Sequence, residues 1–241
     1  MANKTIGDFT EDTAPGHNDW VETQSAAGNS RKVKRKNFLR QSVSLEVMRP
    51  LTDFSQINIS GANSVVESSG KAVTVSTNTL AATVSLVGLR RAAPGTTPYR
   101  VAVFVQPNFS PVQYEVLQFG FSDGTKYETV ALGAGGTEVD TWTTSTARAS
   151  ATGITGGSTI ILGNGFWLGM RDDGTNVHWE VSADGVNFGT VRRIAKSSGY
   201  LGSSGYTNLF VGYMPYYSGA TSYEMSMTVR TWDEAGLSRA F

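Results

Sequence analysis

Residues 165–194 constrain the fold of this chain most, because they predict three consecutive β-strands joined by two tight turns. Apolar side chains occupy every second position, which is the period of a strand with one buried face. They are Phe166, Leu168 and Met170 in the first strand, and Val177, Trp179 and Val181 in the second. Asp173-Gly174 and Asp184-Gly185 mark the turns, because Asp-Gly suits the type I′ geometry of short hairpins. The stretch therefore predicts an antiparallel meander.

The chain from about residue 51 onward consists of similar short runs rich in Val, Thr, Ser and Tyr, separated by Gly- and Pro-containing turns. Further strands are predicted at 57–60, 72–76, 82–88, 100–106, 114–122, 126–132, 139–144, 158–162, 209–214 and 222–232. No window has the period of an amphipathic helix. Because one sheet of this size would leave an apolar face exposed, an all-β, antiparallel sandwich of two sheets is predicted.

The composition excludes several classes of function. The 241 residues contain no cysteine, which excludes disulfides, cysteine-ligated zinc and thiol catalysis. Twenty Lys and Arg residues balance 20 Asp and Glu residues, so no overall attraction to nucleic acid is expected. Residues 1–16 lack the apolar core of a signal peptide and no apolar run approaches membrane-spanning length, so neither classical export nor membrane insertion is expected.

Residues 1–40 differ from the rest of the chain, because their few large apolar residues follow neither a strand nor a helix period. Those residues are Ile6, Phe9, Trp20, Val21, Val33, Phe38 and Leu39. Such a segment buries too little surface to fold alone, and its spaced anchors suit an arm that orders on a partner. The basic run 29–36 lacks interleaved aromatic residues, which favours a solvated strand edge or loop over a nucleic-acid contact.

One stretch is a candidate for catalysis, because Glu138, Asp140 and Trp142 would project from the same face of a strand. It is similar to the Glu-x-Asp-x-x-Glu signature of jelly-roll glycoside hydrolases, but Thr143 stands at the position of the second glutamate. Retaining hydrolysis needs two closely spaced carboxyl groups. The chain is therefore predicted not to be an enzyme, no catalytic residue is assigned, and this strand face is expected to be polar and outward.

The histidines and acidic turns predict neither a metal site nor a cofactor. His17 and His178 are the two histidines, and no acidic cluster has metal-ligand spacing. His178 would lie on the strand face opposite Val177 and Trp179, so it is expected to face solvent. Residues 172–176 supply oxygen atoms that calcium could use, but Asp and Gly are equally what a tight turn requires, and the turn is favoured.

Tyrosines are concentrated near the end of the chain, where six fall within residues 200–223. Tyrosine combines apolar area with a polar tip, which suits contact with carbohydrate or protein, although it is also common in strands. Tyr216 and Tyr217 follow Pro215 in a predicted loop and are the first candidates for ligand contact. Tyr206 and Trp142 are assigned to the same candidate site.

Residues 51–241 resemble the concanavalin A-like jelly rolls, which include laminin G-type and lectin-like modules. The segments that carry this resemblance are Pro98–Val101, Gly120–Gly124, Trp167–Thr175, Trp179–Gly185 and Phe210–Tyr213. The resemblance implies that the two-sheet sandwich is a jelly roll. It also implies a domain that binds ligands, for which a carbohydrate is the expected class.

Residues 1–40 resemble the short anchor segments that open many fibre and tailspike proteins of tailed phages. The segments that carry this resemblance are Ile6–Pro15, Asp19–Glu22, Gly28–Val33 and Asn37–Leu39. The resemblance implies a virion appendage, made in the host cytoplasm and displayed on the particle as a homotrimer. Its arm, residues 1–40, would dock on other virion proteins through Ile6, Phe9, Pro15, Trp20, Val21, Val33, Phe38 and Leu39.

This interpretation divides the chain into a docking arm (1–40), a linker (41–50) and a jelly-roll domain (51–241) that binds a glycan of the host surface. Two alternatives are left open. One is an architectural decoration protein of the capsid or tail that binds no receptor. The other is a polysaccharide depolymerase that uses Glu138 or Asp140.

Overall fold

The computed structural model describes residues 20–24, 30–34, 48–61, 63–68, 70–77, 84–108, 116–133, 136–154, 165–215 and 225–234. The chain divides into two units, Met1–Leu45 and Glu46–Phe241. In the first unit, strands β1 (Trp20–Gln24) and β2 (Ser30–Lys34) pair antiparallel, with Val21 opposite Val33. The other predicted anchors, Ile6, Phe9, Pro15, Phe38 and Leu39, lie outside the described residues, as does the predicted strand 158–162.

The second unit is built from strands. They are β3 Ser55–Ile57, β4 Asn63–Ser68, β5 Ala72–Thr77, β6 Val87–Ala92, β7 Tyr99–Pro107, β8 Val116–Ser122, β9 Tyr127–Gly133, β10 Gly136–Thr144, β11 Ala147–Gly153, β12 Phe166–Asp172, β13 Asn176–Ser182, β14 Gly189–Ala195, β15 Asn208–Met214 and β16 Met225–Asp233. Two single-turn 3-10 helices, Leu51–Asp53 and Lys196–Ser198, complete the described elements of this unit. No helix within the described ranges is long and apolar enough to cross a membrane.

These strands form two antiparallel sheets of seven strands each. Sheet I has the order β11-β10-β9-β8-β15-β6-β3, and sheet II has the order β14-β13-β12-β7-β16-β5-β4. Hydrophobic residues from both sheets meet in one buried cluster, in which Phe121 of sheet I meets Trp179 of sheet II edge-on at 5.1 Å. The predicted two-sheet antiparallel jelly-roll sandwich is confirmed.

The predicted meander is formed by β12, β13 and β14 at the edge of sheet II. Phe166, Leu168, Met170 and Trp179 are buried in the core between the sheets, as the alternation predicted. The meander therefore supplies one wall of the core.

The two Asp-Gly turns of the meander are not the predicted type I′ turns, because only their glycines have positive φ, +95° at Gly174 and +74° at Gly185. Each aspartate instead accepts the backbone N–H groups two and three residues further on, at 3.0 and 2.6 Å for Asp173 and 2.8 and 2.8 Å for Asp184. These N–H groups hold the pKa of the Asp184 carboxyl well below its usual range. The aspartate side chain closes the turn, as in an Asx-turn.

Candidate functional site

The predicted acidic strand lies in β10, where Glu138 and Asp140 do share a face. Both carboxylates accept hydrogen bonds from Nη2 of Arg148 in the neighbouring β11, with Glu138 Oε2 at 2.9 Å. The face is not the exposed polar surface that was predicted, because Asp140 is fully buried, as is Trp142 two residues on. Val130 and Leu132 of the paired strand β9 belong to the core between the sheets, and Glu138 and Asp140 lie on the opposite face of sheet I. That face points away from sheet II.

A hydrogen-bonded network explains how Asp140 tolerates burial. Gln118 of β8 donates from Nε2 to Asp140 Oδ2 at 2.6 Å, and Thr129 of β9 donates to Gln118 Oε1 at 2.5 Å. Burial raises the pKa of Asp140, and the charge and hydrogen bond of Arg148 oppose that rise. The network ties four adjacent strands of sheet I together, because its hydrogen bonds form only in this register.

The structure corrects two of the predicted ligand contacts. Trp142 is fully buried, and it packs with Tyr127 and Phe210 in a second apolar cluster on this outer face. Tyr206 is 5% exposed, and its hydroxyl donates to Oε2 of Glu128 at 2.9 Å. Both side chains are core residues, because their rings are used for packing rather than presented to solvent. Tyr216 and Tyr217 lie outside the described residues and stay predictions.

His178 does not face solvent as predicted, since it is 4% exposed. Arg171 Nη2 lies 2.7 Å from His178 Nδ1, and Asp173 Oδ2 lies 2.9 Å from His178 Nε2. A guanidinium only donates, so Nδ1 accepts and Nε2 carries the proton that is donated to Asp173. Buried Glu180 accepts from Nε of Arg171 at 2.9 Å and from Nε of Arg100 at 2.7 Å. Arg171 and Asp173 therefore occupy both nitrogen atoms of the buried His178 ring.

A cleft of about 340 Å³ opens on the outer face of sheet I, beside this aromatic cluster. It is lined by Gln56, Ile57, Asn58, Arg90, Gly124, Thr125, Tyr127, Thr144 and Ser145. The lining comes from β3, β6, the turn between β8 and β9, and the turn between β10 and β11. Four segments that are remote in sequence therefore meet here.

Arg90 forms one wall of the cleft. It stands on β6 opposite Phe210 of β15, in a cross-strand row that continues to Thr129 and Asp140. Its Nη1 donates to the carbonyl oxygen of Gly124 and to the Tyr127 hydroxyl, the latter at 3.2 Å. Both acceptors are neutral, so they fix the guanidinium without neutralising its charge.

The opposite wall is fixed by Asn58, which has a φ of +53°. Its Nδ2 donates to the carbonyl oxygen of Leu86 at 2.7 Å, and Ser145 Oγ donates to its Oδ1 at 3.4 Å. Asparagine tolerates this left-handed conformation better than most residues. Asp123 closes the turn on the Arg90 side by accepting the N–H groups of Thr125 and Lys126 at 2.8 and 2.7 Å. Both walls are therefore held in place by local hydrogen bonds.

The cleft was not predicted from the sequence. Its aromatic residue, Tyr127, lies outside the tyrosine-rich stretch. Its charged residue, Arg90, is the first of two consecutive arginines that belong to no recognisable motif. The Asp123-Gly124 turn was the one recognisable signal. Among the described residues, no group of three acidic or histidine side chains is placed to hold a metal ion.

No model of a protein family matches the sequence, and neither does any curated protein. Solved structures with a similar fold include alginate lyase A1-II′ of polysaccharide lyase family 7, which is 13% identical with a TM-score of 0.47 and coverage of 73% of this chain and 84% of that chain. A structure of endo-acting O-glycanases of the human gut microbiota that initiate mucin breakdown is 8% identical, with a TM-score of 0.49 and coverage of 79% and 94%. The CBM2 module of the evolved Dit of Lactobacillus casei BL23 phage J-1 is 6% identical, with a TM-score of 0.44 and coverage of 78% and 94%.

These similar structures include jelly rolls described as acting on carbohydrate, and one described as a CBM2 module. The prediction that the present chain is not an enzyme does not stand, because alginate lyase and laminarinase structures share the fold, and the fold therefore does not exclude enzymatic activity. At these identities the likeness concerns the fold alone, and this chain has the jelly-roll fold.

Proposed function

We propose that this chain is a glycan-binding virion protein, whose jelly-roll domain holds a carbohydrate of the host surface in the cleft of sheet I. The cleft is the observation that carries the proposal. Its volume of about 340 Å³ lies within the range of about 300–1,000 Å³ that is usual for ligand sites. That volume is sufficient for a short oligosaccharide end rather than a long chain.

The chemistry of the lining favours a hydroxyl-rich ligand. Gln56, Asn58, Thr125, Thr144 and Ser145 offer amide and hydroxyl groups. Such groups both donate and accept hydrogen bonds, as the hydroxyl groups of a sugar do. A wholly apolar ligand would leave these polar groups without partners.

The cleft is also largely preformed, which reduces the entropy lost on binding. Asn58 is held by the carbonyl oxygen of Leu86, and Arg90 is held by Gly124 and Tyr127. A single shallow site of this kind binds weakly. Several copies on one particle would convert weak contacts into firm attachment, which suits the proposed homotrimer.

Residues 1–40 are proposed to dock the protein on other virion proteins. The proposal rests on the resemblance of this segment to phage anchor segments and on its scattered apolar residues. Residues 20–24 and 30–34, which form the β1–β2 pair, belong to a unit separate from the sandwich, as a docking arm requires. The test is incorporation into particles: a chain lacking residues 1–40 should be absent from purified virions, and its retention there would contradict the docking role.

The glycan site is tested by filling the cleft. Thr125 is exposed at its mouth, so Thr125→Trp should block it, whereas Thr190→Trp places the same side chain on exposed β14 of sheet II. The purified full chain and both variants would be applied to a glycan array, with unfolding temperatures measured in parallel. We expect glycan binding by the wild type and by Thr190→Trp, and its loss in Thr125→Trp without loss of stability. Absence of binding to any glycan would overturn the proposed function, and unchanged binding by Thr125→Trp would move the site elsewhere.

A further inference from the structure

We infer that the cleft of sheet I takes an acidic sugar, whose carboxylate binds the guanidinium of Arg90. This inference rests on the proposed glycan-binding function and specifies its ligand class. It is drawn from the charge distribution around Arg90, from the hydrogen bonds that the guanidinium does and does not make, and from the groups that surround it.

Arg90 differs from the other partly buried arginines of the described chain in having no carboxylate partner. The five other partly buried arginines there form ion pairs with Asp or Glu: Arg91, Arg100, Arg148, Arg171 and Arg192. The adjacent Arg91 pairs with both Asp53 and Glu234, at 2.9 and 2.5 Å. Arg90 is half-buried, and among the described residues its acceptors are a carbonyl and a phenol. A guanidinium removed from water without an anion is left uncompensated, and a ligand carboxylate would compensate it.

The hydrogen bonds of Arg90 leave one nitrogen of the guanidinium, Nη2, to a ligand. Nη1 is engaged by Gly124 and Tyr127, whereas Nη2 makes no hydrogen bond to the described residues. Nε also has no acceptor there, but it is enclosed by protein, so Nη2 is the donor left to a ligand. The N–H groups of Nη2 can bind a carboxylate oxygen through a charge-assisted hydrogen bond.

The other charges near the cleft do not supply the missing anion. Asp123, in the adjacent turn, uses Oδ1 to accept two backbone N–H groups and forms no ion pair with Arg90. Lys126, in the same turn, is exposed and adds positive charge. The remaining lining is uncharged, and Gln56, Thr125 and Ser145 carry polar side chains that can bind sugar hydroxyls. A ring that carries one carboxylate and several hydroxyls therefore matches this site.

The test compares sugars that differ only in their charge. Calorimetry on the full chain would use oligogalacturonate and its methyl ester, together with sialyllactose and lactose, at low and high salt. We expect the acidic member of at least one pair to bind about tenfold more tightly or better, as for a hydrogen-bonded charge pair. That preference should shrink at high salt.

Variants assign the preference to Arg90. Arg90→Gln should remove the preference for the acidic sugar. Arg90→Lys should keep part of that preference, since lysine retains the positive charge but not the planar guanidinium. Arg230→Gln is the matched control, because Arg230 is an exposed arginine on sheet II that is hydrogen-bonded to Gln106 at 3.1 Å. It should leave the preference unchanged.

The outcomes separate this inference from the function on which it rests. If no glycan binds, the proposed function fails. If glycans bind but esters and neutral sugars bind as well as acids, or Arg90→Gln keeps the preference, the inference is wrong and the function stands. If Arg90→Gln does not fold, the comparison of acid with ester in the wild type and in Arg90→Lys decides the question.

Discussion

Arg192 in β14 of sheet II donates from Nη2 to Oε1 of Glu128 in β9 of sheet I, at 2.7 Å. Glu128 is 1% exposed, and its Oε2 accepts the Tyr200 N–H and the Tyr206 hydroxyl at 3.0 and 2.9 Å. The Arg192 guanidinium also lies over the Trp179 ring, 5.3 Å from its centroid. This buried carboxylate therefore links the two sheets, because it joins β14, the last strand of the meander, to β9 of sheet I.

Glu128→Gln should lower the free energy of unfolding by about 2–4 kcal/mol, because it leaves Arg192 without its anion inside the fold. Glu138→Gln is the control, since Glu138 also pairs with an arginine but its side chain is 47% exposed. Glu138→Gln should lower the free energy of unfolding by less than about 1 kcal/mol. Urea unfolding of both variants measures the difference, and equal losses would contradict the structural role of Glu128.

Alkaline pH should destabilise the protein through Tyr213, whose burial raises its pKa from 10.0 to about 12. The folded chain holds this proton more tightly than the unfolded chain does. Its contribution is therefore fully present below pH 10 and is lost as the pH rises through about 12. Near pH 11 the loss should be about 1.4 kcal/mol relative to neutral pH.

Tyr213→Phe checks this assignment. At neutral pH the variant should lose about 1 kcal/mol, because Thr77 Oγ1 lies 3.0 Å from the Tyr213 hydroxyl in the wild type. Between pH 8 and pH 11, urea unfolding of the variant should show a smaller pH dependence than the wild type, by about 1.4 kcal/mol. An identical pH dependence would show that other groups control alkaline stability.

Tyr206→Phe tests the reassignment of Tyr206 from ligand contact to core. The variant removes the hydroxyl that donates to Glu128 and keeps the ring that packs against Phe121 at 5.5 Å. We expect a loss of about 1–2 kcal/mol in the free energy of unfolding, with glycan affinity unchanged. Weaker glycan binding at full stability would restore Tyr206 to the ligand site.

The parts of the fold that were predictable are those with one clearly buried face. The meander alternates apolar and polar residues, and its strands appear where that alternation is strongest. β4 and β11 were not predicted, because each lies at the edge of its sheet and is largely exposed, so no alternation marks it. β6 spans Val87–Ala92, whereas a strand was predicted at 82–88. Its sequence Val-Gly-Leu-Arg-Arg-Ala alternates poorly, so the pattern did not mark where the strand begins and ends.

The candidate site was less predictable, because its residues are remote in sequence. Strand alternation placed Glu138 and Asp140 on one face, but it could not show that this outer face is buried. His178 was misassigned because its partner Arg171 belongs to the neighbouring strand β12, which the sequence of β13 does not reveal. Arg90 and Arg91 are adjacent in the sequence, and only the folded chain distinguishes them. Arg91 pairs with a carboxylate, whereas Arg90 donates to a neutral carbonyl oxygen in the cleft.

Position 185 requires glycine for two reasons, the positive φ of its backbone and the Trp167 ring that lies against it. Its φ is +74°, and a Cβ there would lie 2.6 Å from Cε2 of that ring. Gly185→Ala should therefore be destabilising by about 2–4 kcal/mol, from backbone strain plus displacement of the ring.

Gly174 in the other turn of the meander is the matched control, with a φ of +95° and no atom nearer than Thr97 Oγ1 at 3.6 Å. Gly174→Ala should be destabilising by about 1–2 kcal/mol, from the backbone alone. Urea unfolding of the two variants isolates the packing contribution as their difference, and near-ultraviolet circular dichroism reports the environment of the tryptophans. Equal losses would mean that the Trp167 ring moves aside freely, and that Gly185 is needed for turn geometry only.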